Sequence, residues 1–151
     1  IVLFADEVDI HLNPKIGPDW MLMGTQKKVI TPGRNQRHYV AGAITGWGKD
    51  LIWVAGPSKC SALFICLIDK LCDQFHAYKV IHLIVDNYIT HTSKITQKAV
   101  DSKKGKVQLH FLPPYCPKHN PIERLWRDLH ARVTRNHQCK TIKLPPKSRP
   151  K

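Results

Sequence analysis

Short apolar runs separated by turn residues make up the first half of the chain. Residues 1–5 are continuously apolar, which is typical of a strand buried on both faces. Further apolar runs lie at residues 20–24, 28–30, 39–45 and 51–55. Each is predicted to be a strand or strand piece, and Gly46-Trp47-Gly48 predicts a hairpin between the last two. We therefore expect an antiparallel meander.

The spacing of apolar residues then becomes helical. Residues 58–75 and 90–102 are amphipathic stretches that predict two helices, and residues 79–85 and 107–111 predict two more strands. A last helix is predicted from Pro121, with Asn120 as its cap. Its buried stripe comprises Ile122, Leu125, Trp126, Leu129 and Val133.

This order of elements predicts an α/β fold in which helices cover a mixed sheet, because the runs at 1–5 and 79–85 need cover on both faces. The chain's 151 residues suffice for one domain with its own core. No apolar run approaches the ~20 residues that span a membrane, and the start lacks a signal peptide. A soluble, intracellular protein is expected.

Positive charge is concentrated in the second half of a chain whose formal net charge is +13. Residues 1–75 hold eight Lys or Arg against seven Asp or Glu, whereas residues 76–151 hold sixteen against four. Basic residues continue after Asp128 without any acid, so residues 137–151 are expected to be a flexible basic tail. Such a surface is suited to binding a polyanion such as nucleic acid. The alternative is that the basic end is only solvated and binds nothing.

Cysteine and histidine suggest no structural metal. The five cysteines form no Cys-x-x-Cys pair, which argues against a zinc ribbon or a disulfide framework. His110, Cys116 and His119 are close in sequence, but their spacing matches no zinc template. Reduced thiols are the simpler interpretation.

Three carboxylates are the candidate site. Asp6 and Asp86 each follow a predicted buried strand, and Glu123, one of only two glutamates, follows a loop with four prolines between residues 113 and 121. Carboxylate oxygens suit Mg²⁺. Two such ions, about 3.5–4 Å apart, activate the attacking oxygen and stabilise the leaving one in phosphodiester cleavage.

These residues also carry a family resemblance. Asp6-Glu7, Val85-Asp86-Asn87 with His91, and the segments 112–117 and 120–126 resemble the DDE transposases of bacterial insertion sequences related to mariner elements. The 36 residues between Asp86 and Glu123 are close to that family's spacing. The resemblance spans residues 1–136.

The resemblance implies a retroviral-integrase-like, RNase H-like core with a mixed five-stranded sheet flanked by helices over residues 1–136. It implies that Asp6, Asp86 and Glu123 bind two Mg²⁺ ions, for which Mn²⁺ substitutes. Water would first cut the element end, and the freed 3′-hydroxyl would then attack target DNA. A homodimer acting on DNA in the bacterial cytoplasm, associated with the nucleoid, is expected.

The chain departs from the family in two ways. Cys116 stands where Ser is common, and Lys118-His119 replaces a pair that is often acidic and hydrophobic. The family's upstream helix-turn-helix region is also not found. Because the chain begins without Met inside an apolar run, we expect it to be part of a longer protein with a domain preceding Ile1.

Each candidate has a simpler alternative role. Alternation along the strand directs only one of Asp6 and Glu7 to the site, and the resemblance favours Asp6. Asp86 could merely form a turn, and Glu123 could merely complement the helix dipole. Asn87 and His91 could orient the Asp86 loop or contact phosphate. Further candidate DNA contacts, which a solvated surface would also explain, are Arg124, Arg127, His130 and Arg135.

The leading hypothesis is a metal-dependent transposase catalytic domain. A related nuclease without strand transfer and a non-catalytic DNA-binding remnant are the alternatives. The transposase and the remnant would use DNA as partner, and the nuclease would cleave structured nucleic acid.

Overall fold

Five strands form one mixed sheet in the order β3-β2-β1-β4-β5. The computed structural model describes residues 1–142 apart from 47, 49 and 114–118. The strands are β1 Val2–His11, β2 Arg37–Thr45, β3 Leu51–Gly56, β4 Ile81–Val85 and β5 Val107–Phe111. β2 pairs antiparallel with both β1 and β3, whereas β4 pairs parallel with both β1 and β5. The predicted mixed sheet and hairpin are confirmed.

Among the residues that the structure describes, four helices and one π-helical turn complete the fold. They are α1 Ser61–Gln74, α2 Ile89–Thr92, α3 Lys94–Ser102, α4 Pro121–Leu129 and the π turn His130–Thr134. The single helix predicted at 90–102 is instead broken at Ser93, which is extended and caps α3 by accepting a hydrogen bond from the Thr96 N–H at 3.2 Å. No helix in the described part of the chain is long and apolar enough to cross a membrane.

The strand pieces predicted at 20–24 and 28–30 are wrong. Both segments lie in the long connection between β1 and β2, outside any strand. Trp20 is 98% exposed and Met23 97% exposed, so neither packs against the sheet. An apolar run becomes a strand only where it can pack on a pleated, half-buried surface, and these side chains have none.

The predicted end of the first strand at Ala5 is also wrong, because β1 continues to His11. Its parallel pairing with β4 stops at Phe4 and Ile84, but its antiparallel pairing with β2 continues as far as His11 and Arg37. Asp6 therefore lies inside β1, just beyond the point where its parallel neighbour ends.

Helices cover both faces of the sheet, as predicted. On one face the core includes Leu3, Ala5 and Leu83 against Phe64 and Leu67 of α1. On the other face Val8, Val40 and Ile44 pack against Ile122 and Trp126 of α4. Val133, predicted to extend the stripe of α4, is 59% exposed, because the chain has left regular α-helical spacing in the π turn.

Candidate active site

Asp6 and Glu7 point to opposite faces of β1. Glu7 shares its face with Leu3 and Ala5, which pack on α1, and its side chain is only 3% exposed. Asp6 shares its face with Phe4 and Val8, which pack against α4. The two acids therefore have different surroundings, and Asp6 is the one directed toward the helix that carries Glu123.

Asp86 directly follows β4, beside the end of the β1–β4 ladder. Its Oδ1 lies 2.9 Å from His91 Nδ1, which also hydrogen-bonds the Asp86 backbone carbonyl at 3.2 Å. The same Oδ1 accepts a hydrogen bond from the Tyr88 N–H at 3.0 Å. The interaction with His91 is the largest effect that lowers the pKa of Asp86. The carboxylate is thus held ionised while its side chain remains 49% exposed.

Asp6 lies in the opposite electrostatic situation. Its pKa is raised from 3.8 to about 7, chiefly by burial and also by the charges of Glu7 and Asp86, against a hydrogen bond from the Glu7 N–H. The effect of Asp86 on Asp6 means that these two carboxylates are near enough to repel each other. Their negative charge is concentrated where a cation would relieve it.

Glu123 lies in the first turn of α4, whose start is tied to β1. Asn120 is 4% exposed, and its Oδ1 caps the helix by accepting a hydrogen bond from the Ile122 N–H at 3.4 Å. Its Nδ2 donates to the Ala5 carbonyl at 3.1 Å, one residue before Asp6. Asn120 therefore fixes the start of α4, and with it Glu123, relative to Asp6.

Asp6 and Glu123 line the same open cleft of about 570 Å³. Its basic side chains are Lys15, Arg127, His130 and Arg135. Burial lowers the pKa of His130, as does the charge of Lys15, whose ammonium lies 3.1 Å from His130 Nε2. His130 is therefore neutral at pH 7, and the positive charge of the cleft comes from Lys15 and the two arginines.

The structure separates the predicted DNA contacts into groups. Arg127, His130 and Arg135 line the cleft, whereas Arg124 is exposed on α4 outside it. Asn87 donates to the Leu112 carbonyl and so ties the Asp86 loop to the chain after β5. Because the His91 side chain has no exposed surface, its contacts fit orientation of the Asp86 loop rather than phosphate binding.

Two basic residues near the acids were missed by sequence reasoning. Lys15 lies in the cleft, and the Lys59 ammonium is 3.6 Å from Glu7 Oε2 and 4.0 Å from the centre of the Tyr88 ring. Both come from connections between elements. A lone lysine in such a connection carries no local pattern that distinguishes it from a solvated one.

No group of three or more His, Cys, Asp or Glu side chains within the described residues is close enough together to hold a metal ion. The donor chemistry nevertheless fits a hard divalent cation: Asp6 and Asp86 repel each other, and Glu123 is an exposed carboxylate on the same cleft as Asp6. Apo active sites often tighten only when their ligands bind.

Replacing Asp6 with Asn should stabilise the metal-free protein at pH 8. The folded-state pKa of Asp6, about 7, lies above the ordinary 3.8, so folding holds its proton more tightly. Ionised Asp6 therefore lowers the free energy of unfolding. This destabilisation is fully present above pH 7, falls as the pH falls, and is absent below about 3.8. Thermal unfolding in EDTA should show a gain of about 1–3 kcal/mol at pH 8 and a smaller one at pH 5.

Glu7→Gln is the matched neighbour for this measurement. Glu7 is paired with His91 and Lys59, so its neutral amide should destabilise the protein where Asp6→Asn stabilises it. A loss of stability in both variants would contradict the assignment of unrelieved charge to Asp6.

The sheet order, the helices on both faces and the acids around the end of the β1–β4 ladder define the class: an RNase H-like α/β protein. Residues 1–144 match the DDE superfamily endonuclease family, and the chain belongs to that family. It is 51% identical over 142 residues to the insertion element IS630 uncharacterized 39 kDa protein of Shigella sonnei. That match covers 93% of this chain and 41% of the relative, so the chain spans less than half of the relative's length.

Solved structures agree on the fold. The Mos1 transposase paired-end complex with left transposon end and the Mos1 mariner paired end complex with Mn both superpose with a TM-score of 0.64. They are 16% and 15% identical, and each match covers 93% of this chain and 44% of the Mos1 chain. The catalytic core domain of BIV integrase gives a TM-score of 0.54 at 17% identity, covering 87% of this chain and 67% of the integrase chain.

Proposed function

We propose that this chain is the catalytic domain of a transposase, a metal-dependent DNA endonuclease and strand transferase that cuts element ends and joins the 3′-hydroxyl to target DNA. Asp6, Asp86 and Glu123 would hold two Mg²⁺ ions, with Mn²⁺ as a substitute. The bound ions would supply an activated oxygen nucleophile and stabilise the leaving oxygen.

The observation that carries this proposal is the charge at Asp6. The fold keeps a buried carboxylate whose pKa is raised to about 7 by burial and by two neighbouring acids, one of which is Asp86. Such an arrangement is costly for the protein alone, and strongly perturbed acids in a cleft are typical of functional sites. Glu123 lines the same cleft as Asp6.

The basic side of the cleft supports DNA as the substrate. Lys15, Arg127 and Arg135 line the same cleft as Asp6 and Glu123. A DNA strand in the cleft would therefore meet cations along its backbone and carboxylates at the reacting phosphodiester. Exposed Arg127 can pair with phosphate oxygens through two N–H groups. These residues would bind DNA without regard to sequence, while the rest of the protein would select the element ends.

The assembly would be a homodimer that brings two element ends together, working on DNA in the bacterial cytoplasm. Support for this setting comes from the family and from the transposon-end complex of Mos1.

The test is a cleavage and joining assay with the full-length protein, because this chain spans only 41% of its relative. The substrate is DNA carrying the inverted repeats that flank the gene, and the control is the same DNA with those repeats scrambled. We expect nicking at the repeat ends in Mg²⁺ or Mn²⁺, none in EDTA, and joined products when target DNA is added.

Undiminished cleavage in EDTA, or no cleavage in either metal, would overturn the proposal. Cleavage without joined products would remove strand transfer and leave a nuclease. DNA binding without cleavage would leave a non-catalytic remnant.

A further inference from the structure

We propose that His91 and Glu7 form a positioning pair that holds Oδ1 of Asp86 and leaves Oδ2 as the oxygen offered to metal. This inference rests on the proposed function, since it concerns how one of the three carboxylates is presented. Glu7, the other glutamate of the chain beside Glu123, would then support a metal ligand without binding metal itself.

The geometry places His91 between two carboxylates. Its Nδ1 is 2.9 Å from Asp86 Oδ1 and 3.2 Å from the Asp86 carbonyl oxygen, and its Nε2 is 3.0 Å from Glu7 Oε1. Carboxylate oxygens only accept hydrogen bonds when ionised, so both ring nitrogens act as donors. Since the His91 side chain is fully buried and that of Glu7 is 3% exposed, water does not compete for these contacts.

The backbone that carries His91 is fixed by hydroxyl groups. Thr96 is fully buried, and its hydroxyl donates to the Thr90 carbonyl at 2.6 Å. The Ser93 hydroxyl lies 2.8 Å from that of Ser61 at the start of α1. The first contact attaches the single turn of α2 to α3, and the second attaches Ser93, which directly follows α2, to α1. The His91 ring lies 4.3 Å, centre to centre, from the ring of Phe64 on α1.

The consequence for Asp86 concerns its two oxygens. Oδ1 already forms an ion pair with His91 and accepts a hydrogen bond from the Tyr88 N–H, which fixes the rotamer from the loop side. Oδ2 remains for an external ligand, and the side chain is 49% exposed. Without His91, the carboxylate would keep its charge but lose the contact that orients it. Removing a residue that hydrogen-bonds a metal ligand commonly weakens metal binding by about 10- to 100-fold.

Two substitutions at His91 separate orientation from packing. The Asn side chain can place an N–H near the position of Nδ1, so His91→Asn can keep the bond to Asp86 while losing the one to Glu7. The Gln side chain reaches the position of Nε2, so His91→Gln keeps the bond to Glu7 while losing the one to Asp86. Phe64→Leu is the control, because it loosens packing around the same ring without altering a hydrogen bond.

Mn²⁺ binding to the full-length protein, measured by electron paramagnetic resonance, should weaken by about 10-fold or more in His91→Gln. We expect an intermediate weakening in His91→Asn, which keeps the contact with Asp86 but loses the support of Glu7, and a change below about 3-fold in Phe64→Leu. Thermal unfolding should show that all three lose stability. Equal weakening in the three variants would mean that His91 is only structural. Wild-type affinity in His91→Gln would also overturn the inference.

Asp86→Asn separates failure of this inference from failure of the proposed function. If the wild-type protein binds no Mn²⁺ that Asp86→Asn removes, the metal site itself is wrong. If Asp86→Asn removes the binding and His91→Gln does not, only the positioning pair is wrong. A crystal structure with Mn²⁺ should place the ion on Oδ2 of Asp86, and an ion on Oδ1 would contradict the pair.

Discussion

Full-length protein carrying Glu123→Gln or Asp86→Asn should nick element-end DNA at least about 10³-fold more slowly than the wild type in Mg²⁺. Each substitution keeps the size of the side chain but removes the negative charge that a hard cation needs. A loss of about 10³ corresponds to roughly 4 kcal/mol of transition-state stabilisation, a reasonable amount for the metal contribution to phosphodiester cleavage. Initial rates on labelled DNA would measure it.

Two exposed acids outside the proposed triad are the matched controls. Asp128→Asn changes an exposed acid on α4, five residues after Glu123, and Asp101→Asn changes one on α3. Both should nick DNA at close to the wild-type rate. If Glu123→Gln were as active as Asp128→Asn, Glu123 would not be a metal ligand.

Stability helps to interpret the two slow variants. Glu123 is exposed, so its amide should leave thermal unfolding unchanged, and lost activity there would report on chemistry alone. Asp86→Asn should also reduce stability, because the buried His91 would lose one of its two charged partners. Glu123→Gln is therefore the cleaner of the two tests.

The parts of the fold that could be predicted are those with a local pattern. The apolar residues at 107, 109 and 111 predicted the strand at residues 107–111 with its observed bounds. The Gly46-Trp47-Gly48 segment correctly predicted the pairing of β2 with β3. The break at Ser93 could not be foreseen, because its cause is a serine that caps α3 and contacts Ser61 from a distant part of the chain. Local propensity yields to such tertiary contacts.

The site was predictable only in part, for the same reason. Alternation placed Asp6 and Glu7 on opposite faces, but the partner that makes Glu7 a buried ion-pair residue, His91, is 84 residues away. Nothing local indicates that Asn120 donates to Ala5 across 115 residues. The role predicted for the proline loop stays a prediction, since residues 114–118 lie outside the described part of the chain.

A single methyl group at Gly42 should disturb the site through α4. Gly42 lies opposite Asp6 in the β1–β2 register, and a Cβ there would come within 2.8 Å of the Trp126 ring. Trp126 is 7% exposed and packed in the core of that face, so it cannot swing away. Gly42→Ala should therefore destabilise the protein by about 1–3 kcal/mol and slow nicking, because α4 carries Glu123.

Trp126→Phe provides the compensating change. Phenylalanine lacks the Cη2 and Cζ2 atoms that a Cβ at residue 42 would meet, and the Trp126 Nε1 has no hydrogen-bond partner among the described residues. Trp126→Phe alone should cost stability through the void it leaves. Combined with Gly42→Ala, it should cost less than the sum of the two single changes, because the methyl group enters that void.

Thermal unfolding and nicking rates of the two single variants and the double variant form the test. Gly46→Ala is the control, since among the described residues the nearest atom to a Cβ there would be the Val2 carbonyl oxygen at 3.9 Å. Strict additivity, or a Gly42→Ala protein as stable as Gly46→Ala, would contradict this account. If the double variant instead regains both stability and nicking, then α4 keeps its distance from β1 because Gly42 has no side chain. The third carboxylate would then depend on this glycine as well as on Asn120 for its place beside Asp6.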